Sequence, residues 1–264
     1  MEKIGVIRKM RTELNAPIQY FLPLNGDEIP LTPLVGSKIE MTFTGTIHCP
    51  SCQKKIKKLY GGYCFDCLND APEAAECIMK PELCEAHLGK GRDVEWEERH
   101  HNTPHYVYLA LSSDVKVGVT RSTQIPTRWI DQGASAAIPF AKTPNRYLAG
   151  MIEVDMKQYM TDKTSWQKML KNEVLGADLA QQKIFFASML DPKYAEYITD
   201  ESEVTVLDFP VEQYPRKINS TNFDKQQVVS GLLKGIKGQY LIFEEGMVIN
   251  LRRHQGYEIA FKTL

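Results

Sequence analysis

The chain has 264 residues, 43% of them hydrophobic and 25% charged, with a formal net charge of -1. That length admits one or two domains, and the composition is ordinary for a globular protein able to bury a core. Near-neutrality excludes bulk electrostatics as a source of nucleic-acid affinity, and no apolar run approaches the roughly 18 residues needed to span a bilayer, so no membrane role is expected.

Residues 1–48 read as a β-rich N-terminal segment of short strands, punctuated by Pro17, Pro23, Pro30 and Pro33. The stretch Ile39-Glu-Met-Thr-Phe-Thr-Gly-Thr-Ile47 alternates as a half-buried strand does. The first ten residues carry charges but no apolar signal core. The six cysteines are therefore expected in the reducing cytoplasm, where clustered Cys means metal or redox chemistry.

Residues 49–103 form a Cys-rich region poor in regular structure. Cys49-Pro-Ser-Cys52 and Cys64-Phe-Asp-Cys67 give the spacing C-x2-C-x11-C-x2-C. Each knuckle turns two thiolates toward one point, and four complete a closed tetrahedral shell with no open position, which predicts structural zinc. Lys54-Lys-Ile-Lys-Lys58 lies between the knuckles and is either a phosphate-contacting strip or a solvated turn. Cys77, Cys84 and His87 form a second cluster, read as a second zinc site with His100 or His101 completing it, or as buried small residues with surface histidines.

Residues 104–195 form an α/β core. Tyr106–Leu111 and Val115–Val119 alternate like a hairpin around a Ser-Ser-Asp turn. Residues 124–133 suit a short helix. Leu148, Met151, Ile152 and Met156 have helical spacing over 145–160, with Asn145 as N-cap. Further helices are expected through Trp166–Leu170 and over 178–189. Residues 200–264 form a β-rich C-terminal segment with strands at 204–209, 227–233, 239–243 and 247–251, separated by Gly235, Gly238, Gly246 and Gly256. The two β-rich ends are expected to pack together. Basic positions there, including Lys234, Lys237, Arg252 and Arg253, interleave with Tyr214, Phe223, Tyr240 and Tyr257. They suit nucleic-acid backbone contact and base stacking, or the aromatics fill a small barrel core. The expected fold class is α+β: a zinc ribbon and a small antiparallel sheet with helices, flanked by β-rich ends.

Tyr106-Val-Tyr-Leu-Ala, Val115-Lys-Val-Gly-Val-Thr120, Arg128 and Ala149-x3-Glu153 follow one another in an order that resembles a GIY-YIG nuclease core over roughly 105–172. The resemblance implies a catalytic set of Tyr108, Lys116, Arg128 and Glu153. Tyr108 matches the tyrosine of the first motif and Gly118 the glycine of the second. Arg128 is implied to hold the scissile phosphate and Glu153 to bind Mg2+. Lys116 stands where the second motif usually has tyrosine, and a subgroup related to phage-encoded domains is similar in carrying Lys-Ile-Gly there. Arg121, Arg128 and Lys237 are the expected nucleic-acid contacts. The whole chain also looks like an uncharacterised bacterial domain-of-unknown-function family, through Cys49–Cys67, Pro81–Gly89, His105–Leu111, Ile125–Ala134 and Gly235–Phe243. Two function classes follow: a divalent-metal-dependent nuclease acting on DNA or RNA, and a non-cleaving nucleic-acid or ribonucleoprotein binding module. A protein–protein adaptor is a third.

Overall fold

The computed structural model describes residues 2–160 and 165–264. Residues 161–164, inside the 105–172 resemblance, lie outside the described residues, as does residue 1. Among the described residues the strands are β1 (Glu2–Val6), β2 (Arg11–Glu13), β3 (Gln19–Leu24), β4 (Asp27–Pro30), β5 (Lys38–His48), β6 (Lys55–Ile56), β7 (His105–Leu111), β8 (Val115–Arg121), β9 (Ala136–Thr143), β10 (Thr205–Val206), β11 (Asn219–Thr221), β12 (Val228–Lys237), β13 (Tyr240–Phe243), β14 (Met247–Asn250) and β15 (Tyr257–Thr263). The helices are α1 (Phe65–Asp70), α2 (Val94–His100), α3 (Thr127–Asp131), α4 (Arg146–Met156), α5 (Trp166–Leu170) and α6 (Leu179–Met189), and short 3-10 turns fill much of 72–88. The fold is mixed α+β with β-rich ends. None of the described helices is long and apolar enough to cross a membrane.

The chain divides into two compact units. The first comprises Met1–Leu68, Ile130–Gly133 and Asp208–Leu264. Its main sheet runs β1-β15-β5-β12-β13-β14-β11, with β6 paired to β5. The alternation seen in the sequence becomes β5, whose Ile39, Met41 and Ile47 are buried. β5 pairs antiparallel with both β15 and β12, so the two ends of the chain share one sheet. Gly235, expected to separate strands, instead lies inside β12. The register with β13 shifts there, and a β-carbon at 235 would come within 2.8 Å of the Val211 backbone. Glycine in a strand marks such a bulge and close approach.

The second unit comprises Asn69–Trp129 and Ala134–Leu207. Its sheet has the order β10-β9-β7-β8, all antiparallel. Val107, Leu109, Leu111, Val115 and Val117 turn one face of β7 and β8 into a core with Ala149, Ile152 and Met156 of α4 and Phe186 of α6. Tyr108, Lys116 and Gly118 alternate onto the other face. Asn145 caps α4 as expected, its side chain accepting from the Leu148 N–H at 3.0 Å.

Candidate metal centres and a candidate phosphate site

The four-cysteine cluster is assembled by the β5–β6 hairpin and the first turn of α1. Cys49, Cys52, Cys64 and Cys67 bring their sulfurs within 4.8 Å of one another. Cys52 and Cys64 sulfurs lie 3.8 Å apart. A zinc–sulfur bond of about 2.3 Å in a tetrahedron gives a sulfur–sulfur edge of about 3.8 Å, so the geometry is compatible with zinc. Backbone N–H groups serve the sulfurs: Cys64 N–H donates to Cys49 Sγ at 3.3 Å and Cys67 N–H to Cys64 Sγ at 3.4 Å. Burial resists ionisation of Cys49, but N–H donors from Cys64, Cys52 and Ser51 hold its thiol below the ordinary range. Lys54, Lys55, Lys57 and Lys58 beside the cluster are exposed.

The second cluster differs from the sequence expectation. Cys77 and Cys84 are joined by Glu97 and His101, and their ligand atoms again lie within 4.8 Å of one another. His87 is not among them. Its ring stacks on Tyr147, with centroids 4.6 Å apart and planes at 22°. Only two residues separate Cys84 from His87, but the 3-10 turn Ala86–Leu88 turns the imidazole away toward α4. Of the two candidate fourth ligands, His101 is in the cluster and His100 instead stacks on Trp96 at 4.1 Å. Glu97 was not anticipated. The signals for it are the Asp93 cap of α2, whose carboxylate accepts from Trp96 N–H, and the four-residue step from Glu97 to His101 that puts both on one helix face.

Tyr108, Gly118 and Lys116 lie on the sheet face turned away from the α4 core, with Arg128 near enough to act on Lys116, whereas Arg121 pairs with His105 and alternates onto the face that carries Val117 and Val119. Tyr108 is fully buried, lies opposite Gly118 across β7 and β8, and meets Trp129 edge-on at 6.1 Å. Lys116 pairs across the sheet with Ala110. Burial, and secondarily the charge of Arg128, lower the Lys116 ammonium to about 8. Arg128 Nε is buried with no hydrogen-bond partner among the described residues. Lys116, Arg121 and Arg128 form no ion pair among the described residues.

Glu153 stands on α4, the helix that covers the opposite face. Burial raises its carboxyl above the usual range; Lys157, 3.3 Å away, opposes this and Glu82 reinforces it. Burial lowers the Arg146 guanidinium from its ordinary range, and the nearby charge of Glu153 opposes this. Glu82 and Arg146 were missed from sequence. Glu82 arrives because Gly150 leaves room for the Pro81–Glu82 backbone against α4, and its Oε2 is buried without a partner among the described residues.

The C-terminal candidates divide differently. Lys237, expected to touch nucleic acid, is fully buried, with its ammonium 5.2 Å from the Phe209 and Tyr214 ring centroids. It is therefore out of reach of a surface phosphate. Phe223, Tyr257 and His254 are buried in one aromatic cluster with the half-buried Phe43, so Phe223 and Tyr257 fill the core. Apolar side chains alternating with basic ones along a strand report the two faces of a sheet before they report a stacking platform.

A family model described as Protein of unknown function (DUF2797) matches residues 36–259. No curated protein and no solved structure matches the chain.

Proposed function

The chain belongs to the DUF2797 family of unknown function, and we propose that its second unit is a GIY-YIG-like core that binds a nucleic-acid phosphodiester and cleaves it with a divalent metal. The observation that carries this reading is the cation group on the Tyr108 face. Lys116 and Arg128 are close enough for one to depress the other's pKa, and Arg128 Nε is buried without a partner. Like charges held together and half desolvated favour an anion between them. The Arg128 guanidinium fits a phosphate through a planar fork. Lys116, once neutral, accepts a proton from the attacking water. Glu153, with Glu82 near enough to raise its pKa, would hold Mg2+, and the metal would supply neutralisation of charge developing on the leaving oxygen. Zinc at the four cysteines is structural.

A second reading, a binder that does not cleave, is favoured by one observation: Glu153 is paired to Lys157 and stands on the helix behind the sheet. The test is binding by fluorescence anisotropy, and cleavage, of labelled single- and double-stranded DNA and RNA with and without Mg2+. Arg128→Ala should weaken binding by about tenfold or more, the loss of one charge-assisted contact. Glu153→Gln should abolish turnover and leave binding intact. Binding without turnover in the parent selects the second reading. If no substrate binds, or both variants behave as the parent, the phosphodiester reading is wrong.

A further inference from the structure

Independently of the phosphodiester site, we infer that Cys77, Cys84, Glu97 and His101 form a second zinc site with mixed donors, distinct in ligand chemistry from the four-cysteine centre.

The donors come from three separate pieces of chain. Cys77 lies in the 3-10 turn Glu76–Ile78, Cys84 directly follows the turn Pro81–Leu83, and Glu97 and His101 stand one turn apart at the C-terminal end of α2. All four are buried, with exposures of 8%, 2%, 3% and 3% in that order. Their ligand atoms converge: the Cys77 sulfur is 3.9 Å from His101 Nδ1, and His101 Nδ1 is in contact with Glu97 Oε2. Burying a carboxylate, an imidazole and two thiols in contact is costly unless a cation organises them. Cys, His and Glu are all zinc ligands, and two thiolates select zinc over Mg2+ or Ca2+.

The charge balance supports the assignment. Two thiolates and one carboxylate exceed the charge of Zn2+ by a single negative charge. Arg146 is the neighbouring cation. Its guanidinium donates to the Cys77 carbonyl from Nε at 3.0 Å and to the Ile78 carbonyl from Nη2 at 2.9 Å, and its backbone N–H donates to the His101 carbonyl at 2.8 Å. Arg146 thus grips two of the ligand segments from the first turn of α4, as an outer-shell group does. Ala75, Ala86 and Tyr147 supply an apolar surround. A metal here fastens residues 75–101 to α4, the helix against which Glu82 is seated.

The test is zinc analysis of the full chain, purified without chelator from zinc-supplemented medium, together with zinc X-ray absorption. Two filled centres give two zinc per chain. Four sulfurs at one site and two at the other then average about three sulfurs and one nitrogen or oxygen per zinc. Cys84→Ser should lose one equivalent, and Cys64→Ser should lose the other. In the Cys64→Ser variant the remaining zinc should show about two sulfurs. Fewer than two zinc per parent chain, an average of four sulfurs, or full zinc retention in Cys84→Ser overturns the site. Should either variant fail to fold, the stoichiometry and sulfur count of the parent decide alone.

Discussion

Tyr108 lies against Gly118 so closely that a β-carbon at position 118 would sit 2.6 Å from its hydroxyl oxygen and 2.7 Å from the ring carbon that bears it. The two residues are direct cross-strand partners on β7 and β8, and the missing side chain at 118 is the space the tyrosine ring occupies. Tyr108 is fully buried, so its ring has nowhere to retreat without displacing Trp129. Gly118→Ala should therefore destabilise the chain by ~1–3 kcal/mol, the usual range for overpacking. Urea unfolding measures this. The near-ultraviolet circular dichroism of the folded variant should also change, because the Tyr108–Trp129 contact shifts. A variant as stable as the parent with an unchanged aromatic spectrum would contradict the packing described.

Gly118 and Tyr108 also show which parts of this protein are legible in sequence. The β7–β8 hairpin was readable because its alternation is local and uninterrupted, and the four-cysteine centre because each knuckle spans only four residues. The adjoining strand β9 was not. No element is expected over its stretch, and its Pro139 lies opposite Tyr108 where the register shifts, the kind of irregularity that tolerates a proline. α2 was missed because the whole of residues 49–103 reads as a Cys-rich region poor in regular structure. Only the folded chain separates buried Glu97 from exposed Glu95 and Glu98. Glu82 was out of reach for a different reason: its place depends on Gly150, 68 positions later, and no local pattern encodes that meeting.

The four-cysteine centre should supply part of the folding energy of its own unit. Its ligands span a hairpin and a helix start, and structural zinc is commonly folding free energy in such elements. Treatment with a strong chelator should lower the melting temperature, and added zinc should restore it. An unchanged melting curve in chelator, with zinc shown to have left, would mean that hydrophobic packing alone holds the knuckles.

Lys237 predicts a stabilising substitution. Burial lowers its ammonium to about 8 from an ordinary 10.5. Below pH 8 both folded and unfolded chains carry the proton, and the folded state bears the full desolvation cost. Between 8 and 10.5 the unfolded state binds more protons, so this group's contribution to stability rises with pH and levels above 10.5. Lys237→Met should therefore gain at pH 7 up to ~3 kcal/mol, taking 1.36 kcal/mol per pKa unit, less what the ring contacts to Phe209 and Tyr214 and the lysine's other interactions supply. The advantage should shrink as pH rises from 8 to 10.5. Chemical denaturation at pH 7 and pH 10 tests both halves, and a variant equally destabilised at both would show that the lysine is paired well enough to offset its burial.

Lys116 gives the sharpest separation between cleavage and binding. Its ammonium, lowered to about 8 by burial and by Arg128, changes charge within reach of a neutral assay. As a proton acceptor it works only when neutral, so kcat/KM should rise about tenfold per pH unit below 8 and level above it. As a phosphate contact it works only when charged, so affinity should fall modestly over the same range. Turnover and binding should thus move in opposite directions with pH, which a merely structural lysine would not produce. Lys116→Arg should hold its charge throughout, bind as well as the parent, and lose turnover at every pH. The measurement is a pair of profiles from pH 6.5 to 9.5 in saturating Mg2+, one of cleavage rate and one of anisotropy. A flat rate profile, or a Lys116→Arg variant that cleaves as the parent does, would remove Lys116 from the chemistry and leave it a binding residue beside Arg128.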